Sequence, residues 1–213
     1  MKVYAALYPN NGAIPIEGEE EVVLSPNDLS TSDGVLIIWG GEDITPAFYG
    51  ERPGSRTGAR ETPSQRDSLE WALAKRAVEI GLPILGICRG AQMMCAMSGG
   101  KLVQHVSGHA NGGHDLITDT GKTIRTNSLH HQMMFPWDVE HKLIAWSSKQ
   151  RSSVYLGEDD RPIERASTMP EPEVVYFPTT GALAIQGHPE FIRDPKDPFV
   201  HYSMELIDGY LKA

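Results

Sequence analysis

Cysteine is nearly absent from this chain of 213 residues: there are two, Cys88 and Cys95. A disulfide framework is thereby excluded as the source of stability. The two are not expected to pair with each other, since seven residues of helical rise would part them by about 10 Å. That exceeds the roughly 7 Å between Cα atoms that a disulfide spans. An excess of positive charge is missing as well. Nineteen Lys and Arg against 28 Asp and Glu leave a formal net charge of −9. No basic surface exists to offset phosphate repulsion, so neither nucleic acid nor an anionic membrane is expected as a partner. Long apolar runs are also lacking. None approaches the ~18 residues of a membrane helix, and the apolar start around Val3–Leu7 is too short for a signal peptide before Pro9 and Asn10 end it. Free thiols without a targeting signal predict a cytoplasmic protein.

Glycine and proline are plentiful, at 21 and 15 residues beside 40% hydrophobic content, as in an α/β protein with many turns. The length suits one domain over residues 1–213. Lys2–Leu7 and Val22–Leu24 read as strands. Gly34–Trp39 is a continuous apolar run, the pattern of a strand covered on both faces in a parallel sheet. Gly40-Gly41 follows it, either as a plain turn or as a place where backbone N–H groups approach a ligand. Thr62-Pro63-Ser64-Gln65 carries helix-start signals, with Thr62 as N-cap, Pro63 first and Gln65 closing a capping box. Leu69, Leu73, Ala77 and Ile80 continue at helical spacing to Gly81. Leu116–Thr118 and Thr123–Arg125 flank a turn and predict a hairpin. Leu143–Trp146, Val154–Leu156, Val174–Phe177 and Ala182–Gly187 are further strands, and Gly157–Pro172 reads as an exposed excursion. Asp197-Pro198 caps a last helix with Phe199, Tyr202, Leu206 and Tyr210 along one stripe.

The chemistry centres on Ile84-Leu85-Gly86-Ile87-Cys88-Arg89-Gly90. A short buried strand ends at Gly-x-Cys-x-Gly and a helical pattern begins at once, the layout of a nucleophile elbow. The flanking glycines suit a turn in which a Cβ would be crowded. At a helix N-terminus, the dipole and free N–H groups favour thiolate. Met93, Met94 and Met97 on the following helix read as core. The base candidate is His188, which also follows an apolar strand and so belongs to the same end of a parallel sheet. Pro189 keeps His188 out of the helical region, and Glu190, two residues on, is placed to orient the imidazole. Apart from the elbow, His188-Pro189-Glu190 would pass for a surface turn.

Gly86–Gln92, His188-Pro189-Glu190 and Gly40-Gly41 together resemble the class I glutamine amidotransferase superfamily. Gly40–Pro46 with Tyr49-Gly50, Arg66-Asp67 with Glu70, Gly99–Leu102 and Asn127–Gln132 are similar to its γ-glutamyl hydrolase-like branch, which includes γ-glutamyl-γ-aminobutyrate hydrolases. The resemblance covers about residues 34–192. It implies a flavodoxin-like three-layer α/β fold, mainly parallel, with extra antiparallel strands. It implies Cys88 as nucleophile toward a γ-glutamyl amide, His188 as proton shuttle and Glu190 as its orienter. Backbone N–H groups of Gly41 and Arg89 would form the oxyanion hole, as the elbow geometry also suggests. Gly40, Gln92, Ser128 and His130 would contact the glutamyl part, although Gln92 also reads as a solvated helix residue and Ser128–Gln132 as a polar loop.

Three positions depart from the branch pattern. Cys95 stands where Asn is common, putting a helix-to-loop hydrogen bond in doubt. Gly187 replaces a bulky aromatic, which predicts an altered pocket wall beside the base, and Ala91 is small. His105, His109 and His114 with Asp115 are spaced by four and five residues across a Gly-rich stretch, unlike structural zinc ligands. They are expected to be loop residues, some rimming the site, with no metal or other cofactor required. Three functional readings follow. The first is a free-standing cysteine hydrolase of γ-glutamyl conjugates or glutamine. The second is a glutaminase subunit delivering ammonia to a synthase or ligase on another chain. The third is a catalytically silent scaffold, which the intact Cys88, His188 and Glu190 argue against.

Overall fold

The computed structural model describes residues 1–11 and 13–212. In chain order the elements are β1 (Lys2–Ala6), β2 (Glu19–Val23), β3 (Gly34–Ile38), α1 (Gln65–Ile80), β4 (Ile84–Ile87), α2 (Arg89–Met97), β5 (Lys101–Val103), β6 (His105–Val106), β7 (Gly113–Thr118), β8 (Thr123–Asn127), β9 (Met133–Phe135), β10 (Lys142–Ser147), β11 (Tyr155–Leu156), β12 (Pro172–Phe177), β13 (Ala182–Ile185) and α3 (Pro198–Leu211). Nine strands form one sheet in the order β2-β1-β3-β4-β13-β12-β10-β7-β8. The first five are parallel, in the 2-1-3-4-5 sequence of a flavodoxin-like fold. The last four are joined antiparallel, including the expected β7–β8 hairpin. No helix among the described residues is long and apolar enough to cross a membrane.

The central strands are covered on both faces, as the unbroken apolar run of β3 requires. Leu36 and Ile38 pack with Leu73 and Ala77 of α1 and Met94 of α2. Val35 and Ile37 pack on the other side with Phe199 and Ile207 of α3. The buried stripe of α3 runs through Phe199, Tyr202, Ile207 and Leu211, with Leu206 and Tyr210 only half-buried. The 157–172 excursion is shorter than predicted: Glu171 is buried and Pro172 opens β12.

Helix α1 starts two residues after the position read from Thr62. Ser64, not Thr62, is the N-cap: its hydroxyl accepts the Asp67 N–H and the Asp67 carboxylate accepts the Ser64 N–H, at 3.0 Å each. Gly81 ends the helix in the left-handed conformation, φ 69°. The buried face of α1 is not purely apolar, because it carries Asp67 and Glu70 alongside Leu73 and Ala77. Their partner is Arg89, itself 1% exposed. Its Nη2 donates to Asp67 Oδ1 at 2.6 Å and its Nη1 to Glu70. Arg66 Nε donates to the other Glu70 oxygen at 3.0 Å. The first turn of α2 is thus tied to α1 by a buried ionic cluster.

Removing one member of such a cluster strands the opposite charge, which costs about 3–5 kcal/mol. Arg89→Met is therefore expected to lose stability of that order in urea unfolding, and a loss under about 1 kcal/mol would contradict the buried-cluster assignment.

Candidate active site

The register of the parallel strands levels the key residues. Ile38 lies beside Gly86, and Gly86 beside Ala184, so two residues further on Gly40, Cys88 and Gln186 share one row at the C-terminal edge. Cys88 has φ 51°, ψ −104°, a conformation that costs a residue with a Cβ about 1–3 kcal/mol. Its N–H donates to Ile185 O at 2.8 Å, and its carbonyl accepts the Gln92 N–H at 3.1 Å. Both flanking glycines are needed sterically. A Cβ at Gly86 would lie 2.6 Å from the Gly90 backbone, and one at Gly90 would run into the Ile38 carbonyl.

His188 leaves β13 with its backbone gripped at both ends by the Asn127 side chain. Its N–H donates to Asn127 Oδ1, and its carbonyl accepts from Asn127 Nδ2, both at 2.7 Å. Residues 189–191 form a 3-10 turn rather than the continued extended chain that the spacing implied. Glu190 Oε1 nevertheless reaches His188 Nδ1 at 2.7 Å. Phe191 stacks on the imidazole, centroids 4.6 Å apart and planes 4° apart. Gly40 packs between the partners: a Cβ there would sit 2.7 Å from His188 Cε1 and 3.4 Å from Cys88 Cβ. Burial disfavours the imidazolium, but the neighbouring Cys88 sulfur and the hydrogen bond to Glu190, with their charges, overcome it and push His188 up to about 10.

Arg66 Nη2 donates to the Gly40 carbonyl at 2.9 Å. The peptide is planar and trans, so this turns the Gly41 N–H away from Arg66. Gly41 has φ +151°, and a Cβ there would meet the Arg66 guanidinium. Arg89 is the first residue of α2, where an N–H has no intrahelical acceptor. Gln92 is buried rather than solvated. Its Nε2 donates to Gln132 O at 3.2 Å and Gln186 Oε1 at 3.3 Å, while Gln186 Nε2 donates to Cys88 Sγ at 3.6 Å. Gln186 and Asn127 are site residues that motif reading left without a role. The signal for Gln186 was its place one row beyond Ile87 in a parallel pair.

Two cavities meet at Gly41. One of about 250 Å³ lies on the sulfur side, lined by Cys88, Gln92, Glu42, Asp43, His130 and His131 among others. The other, about 350 Å³, lies on the imidazole side against Tyr8, Trp39, Gly40, His188, Glu190 and Phe191. The Asp43 side chain is largely enclosed. Burial opposes its charge, but His131 and the Gly58 N–H hold it below the ordinary carboxylate range. The same contact raises His131 against burial, the two groups being 3.1 Å apart.

Ser128 does not line either cavity. Its hydroxyl donates to the His109 carbonyl at 2.6 Å, so it braces the loop that the resemblance had it present to substrate. His130 lines the sulfur-side cavity, but its Nδ1 faces the Gln132 carbonyl at 2.7 Å. His109 and His114 are not rim residues either. Both are buried and gather with His130 around Glu173 on β12. His105 lies apart from them near Arg56, and Asp115 pairs with Arg125 at the surface. Cys95 donates to Lys101 O at the start of β5 at 3.3 Å, and burial pushes its thiol up to about 12. Both cysteines are free. The space beside Gly187 is already filled: a Cβ there would lie 2.8 Å from the Phe199 ring and against the Thr126 hydroxyl.

A peptidase C26 family model matches residues 12–120. Glutamine amidotransferase-like protein YvdE of Lactococcus lactis is 37% identical over 94 residues, 44% of this chain and 37% of that protein. The carbamoyl phosphate synthase small chain of Yersinia pseudotuberculosis is 26% identical over 152 residues, 70% of this chain and 35% of that one. The matched stretches span about a quarter to a half of the length of such relatives. Among solved structures, PurLQS from Thermotoga maritima superposes with a TM-score of 0.63 at 19% identity, covering 99% of this chain and 98% of that one. At that identity the likeness concerns the fold.

Because the His188 pKa rises from 6.5 to about 10 on folding, its stabilising contribution is complete below pH 6.5 and is lost as pH climbs through 10. Cys88→Ala removes one of its two partners. Imidazole NMR titration is expected to place His188 well above 6.5 in the intact protein and lower in Cys88→Ala, and equal values in the two would refute the contact.

Proposed function

From a chain that belongs to the peptidase C26 family, within the class I glutamine amidotransferase-like superfamily, we propose a cysteine hydrolase that cleaves γ-glutamyl amides through a glutamyl thioester. The observation that carries this is the Cys88–His188–Glu190 arrangement at one sheet edge. In the first half-reaction, Cys88 Sγ attacks the γ-carbonyl carbon, its proton already resting on His188, whose pKa stands at about 10. The oxyanion is received by the Gly41 and Arg89 N–H groups. The C–N bond then breaks, and His188 returns its proton to the leaving nitrogen. In the second half-reaction, His188, now neutral, deprotonates a water that attacks the thioester, releasing glutamate and restoring the starting Cys88–His188 pair. Glu190 holds the imidazole in the tautomer that both halves need.

The sulfur-side cavity suits the glutamyl group. Its acids Glu42 and Asp43 match an α-ammonium, the His131 ring, which Asp43 favours in its charged form, matches an α-carboxylate, and Gln92 closes the wall. The imidazole-side cavity lies where the leaving nitrogen departs. Beside His188 and Glu190, its lining is Tyr8, Pro9, Ala13, Trp39 and Phe191, which favours an apolar or aromatic amine. A cytoplasmic setting accords with a free, reactive thiol.

The second reading is a glutaminase subunit, favoured by the similarity to a carbamoyl phosphate synthase small chain. Exposed Tyr8, Leu129 and Phe191 at the cavity mouths would then meet a synthase or ligase.

Steady-state assays on a panel of γ-glutamyl amides separate these. The isolated chain is expected to release glutamate from γ-glutamyl amines, with Cys88→Ala lowering kcat by about 10³-fold or more and Glu190→Gln by about 10²–10⁴-fold. Turnover of glutamine only after addition of a synthase would favour the subunit. Turnover unaffected by Cys88→Ala would exclude both.

A further inference from the structure

Behind the cavity wall formed by His130, three imidazoles converge on one carboxylate. His109 lies in the loop before β7, His114 on β7, His130 in the loop after β8, and Glu173 on β12. All four are at most 3% exposed. His109 Nδ1 and His130 Nε2 stand 3.3 and 3.6 Å from Glu173 Oε1. Neither nitrogen makes a hydrogen bond, and Glu173 Oε2 has no partner. Contacts that long and misdirected are poor hydrogen bonds. They are close to the ~3.3 Å that separates two ligand atoms each about 2.05 Å from a tetrahedral centre. One ligand atom from each of His109, His130 and Glu173 can be chosen so that all lie within 4.8 Å of one another.

The outer nitrogens of His109 and His130 face carboxylate or carbonyl oxygens. His130 Nδ1 is 2.7 Å from the Gln132 carbonyl, which places the proton there and leaves a lone pair on Nε2. His109 Nε2 is 3.1 Å from Glu171 Oε2 without making a hydrogen bond, and a proton held there leaves a lone pair on Nδ1. His114 Nε2 holds Glu173 Oε1 at 2.8 Å. Carboxylate and carbonyl groups behind imidazoles are the usual supports of metal ligands. Glu171 is fixed in turn by the Arg151 and Ser152 N–H groups and the Tyr155 hydroxyl at 2.8–2.9 Å.

Charge points the same way. Glu171 and Glu173 are 2% and 1% exposed, and among the described residues their only ion-pair partners within 4.0 Å are histidines. Buried carboxylates require neutralisation, and one divalent cation would balance both.

We propose that His109 Nδ1, His130 Nε2 and Glu173 bind one divalent first-row transition ion, zinc above the others for a tetrahedral nitrogen and oxygen set. A water completes the fourth position. The site is structural: it ties the loop before β7 and the loop carrying Ser128–His131 to β12. It stands independently of the reaction assigned to Cys88.

The test uses the untagged full chain. Elemental analysis after purification without chelator is expected to find about one equivalent of zinc. Chelation is expected to lower Tm by several degrees, and zinc chloride alone to restore it. Cobalt chloride added to the stripped protein is expected to give visible ligand-field bands of tetrahedral intensity, absent in His109→Asn and Glu173→Gln. A wild-type chain that takes up neither zinc nor cobalt at one equivalent overturns the proposal, and that result needs no variant to fold. So does cobalt binding that persists unchanged in His109→Asn.

Discussion

The site depends on a backbone that most side chains avoid. Cys88 sits at φ 51°, ψ −104°, and the strain persists only because its surroundings over-determine it. From below, β13 takes its N–H through Ile185. From the side, Gly86 and Gly90 let the turn close against itself and against the Ile38 carbonyl. From behind, the buried Arg89 guanidinium anchors the first turn of α2 to Asp67 and Glu70 on α1. What results is a sulfur at a helix N-terminus, level with Gly40 and Gln186 and beside an imidazole whose own position is set by Asn127 and Glu190.

The same cluster reaches the other wall of the site. Arg66 shares Glu70 with Arg89 and holds the Gly40 carbonyl and Glu42. The glycine loop that would receive the oxyanion and the elbow that would supply the nucleophile are therefore referenced to one carboxylate. A shift of α1 would move both together, preserving their spacing. Rigidity of this kind is what electrostatic stabilisation of a transition state needs, since donors must already point at the developing charge.

The local features of this site were legible in the sequence. Gly-x-Cys-x-Gly after an apolar strand, His188-Pro189-Glu190 after another, and the two-faced burial of β3 all follow from short-range pattern, and the structure has each. What pattern could not supply was pairing across the chain. Asp67 and Glu70 share a helix face with Leu73, yet charged residues at such spacing ordinarily face water, and only the approach of Arg89 makes them core. His109, His114, His130 and Glu173 span more than sixty residues and have no common spacing, so the sheet order alone unites them. The start of α1 was misplaced because Thr62-Pro63 offers one N-cap and Ser64 with Asp67 a better one, in which both cap hydrogen bonds close. The contact role for Ser128 came with the resemblance, and the His109 carbonyl takes its hydroxyl instead.

That Cys88 acts as a nucleophile toward a γ-glutamyl carbonyl is the central claim, and active-site labelling reaches it most directly. A glutamine-shaped electrophile, such as a γ-glutamyl diazoketone, is applied to the intact chain, followed by peptide mapping. One equivalent at Cys88, none at the buried Cys95, and strong suppression in His188→Asn is the predicted pattern. Label at Cys95, or labelling of Cys88 at the same rate without His188, would contradict the account.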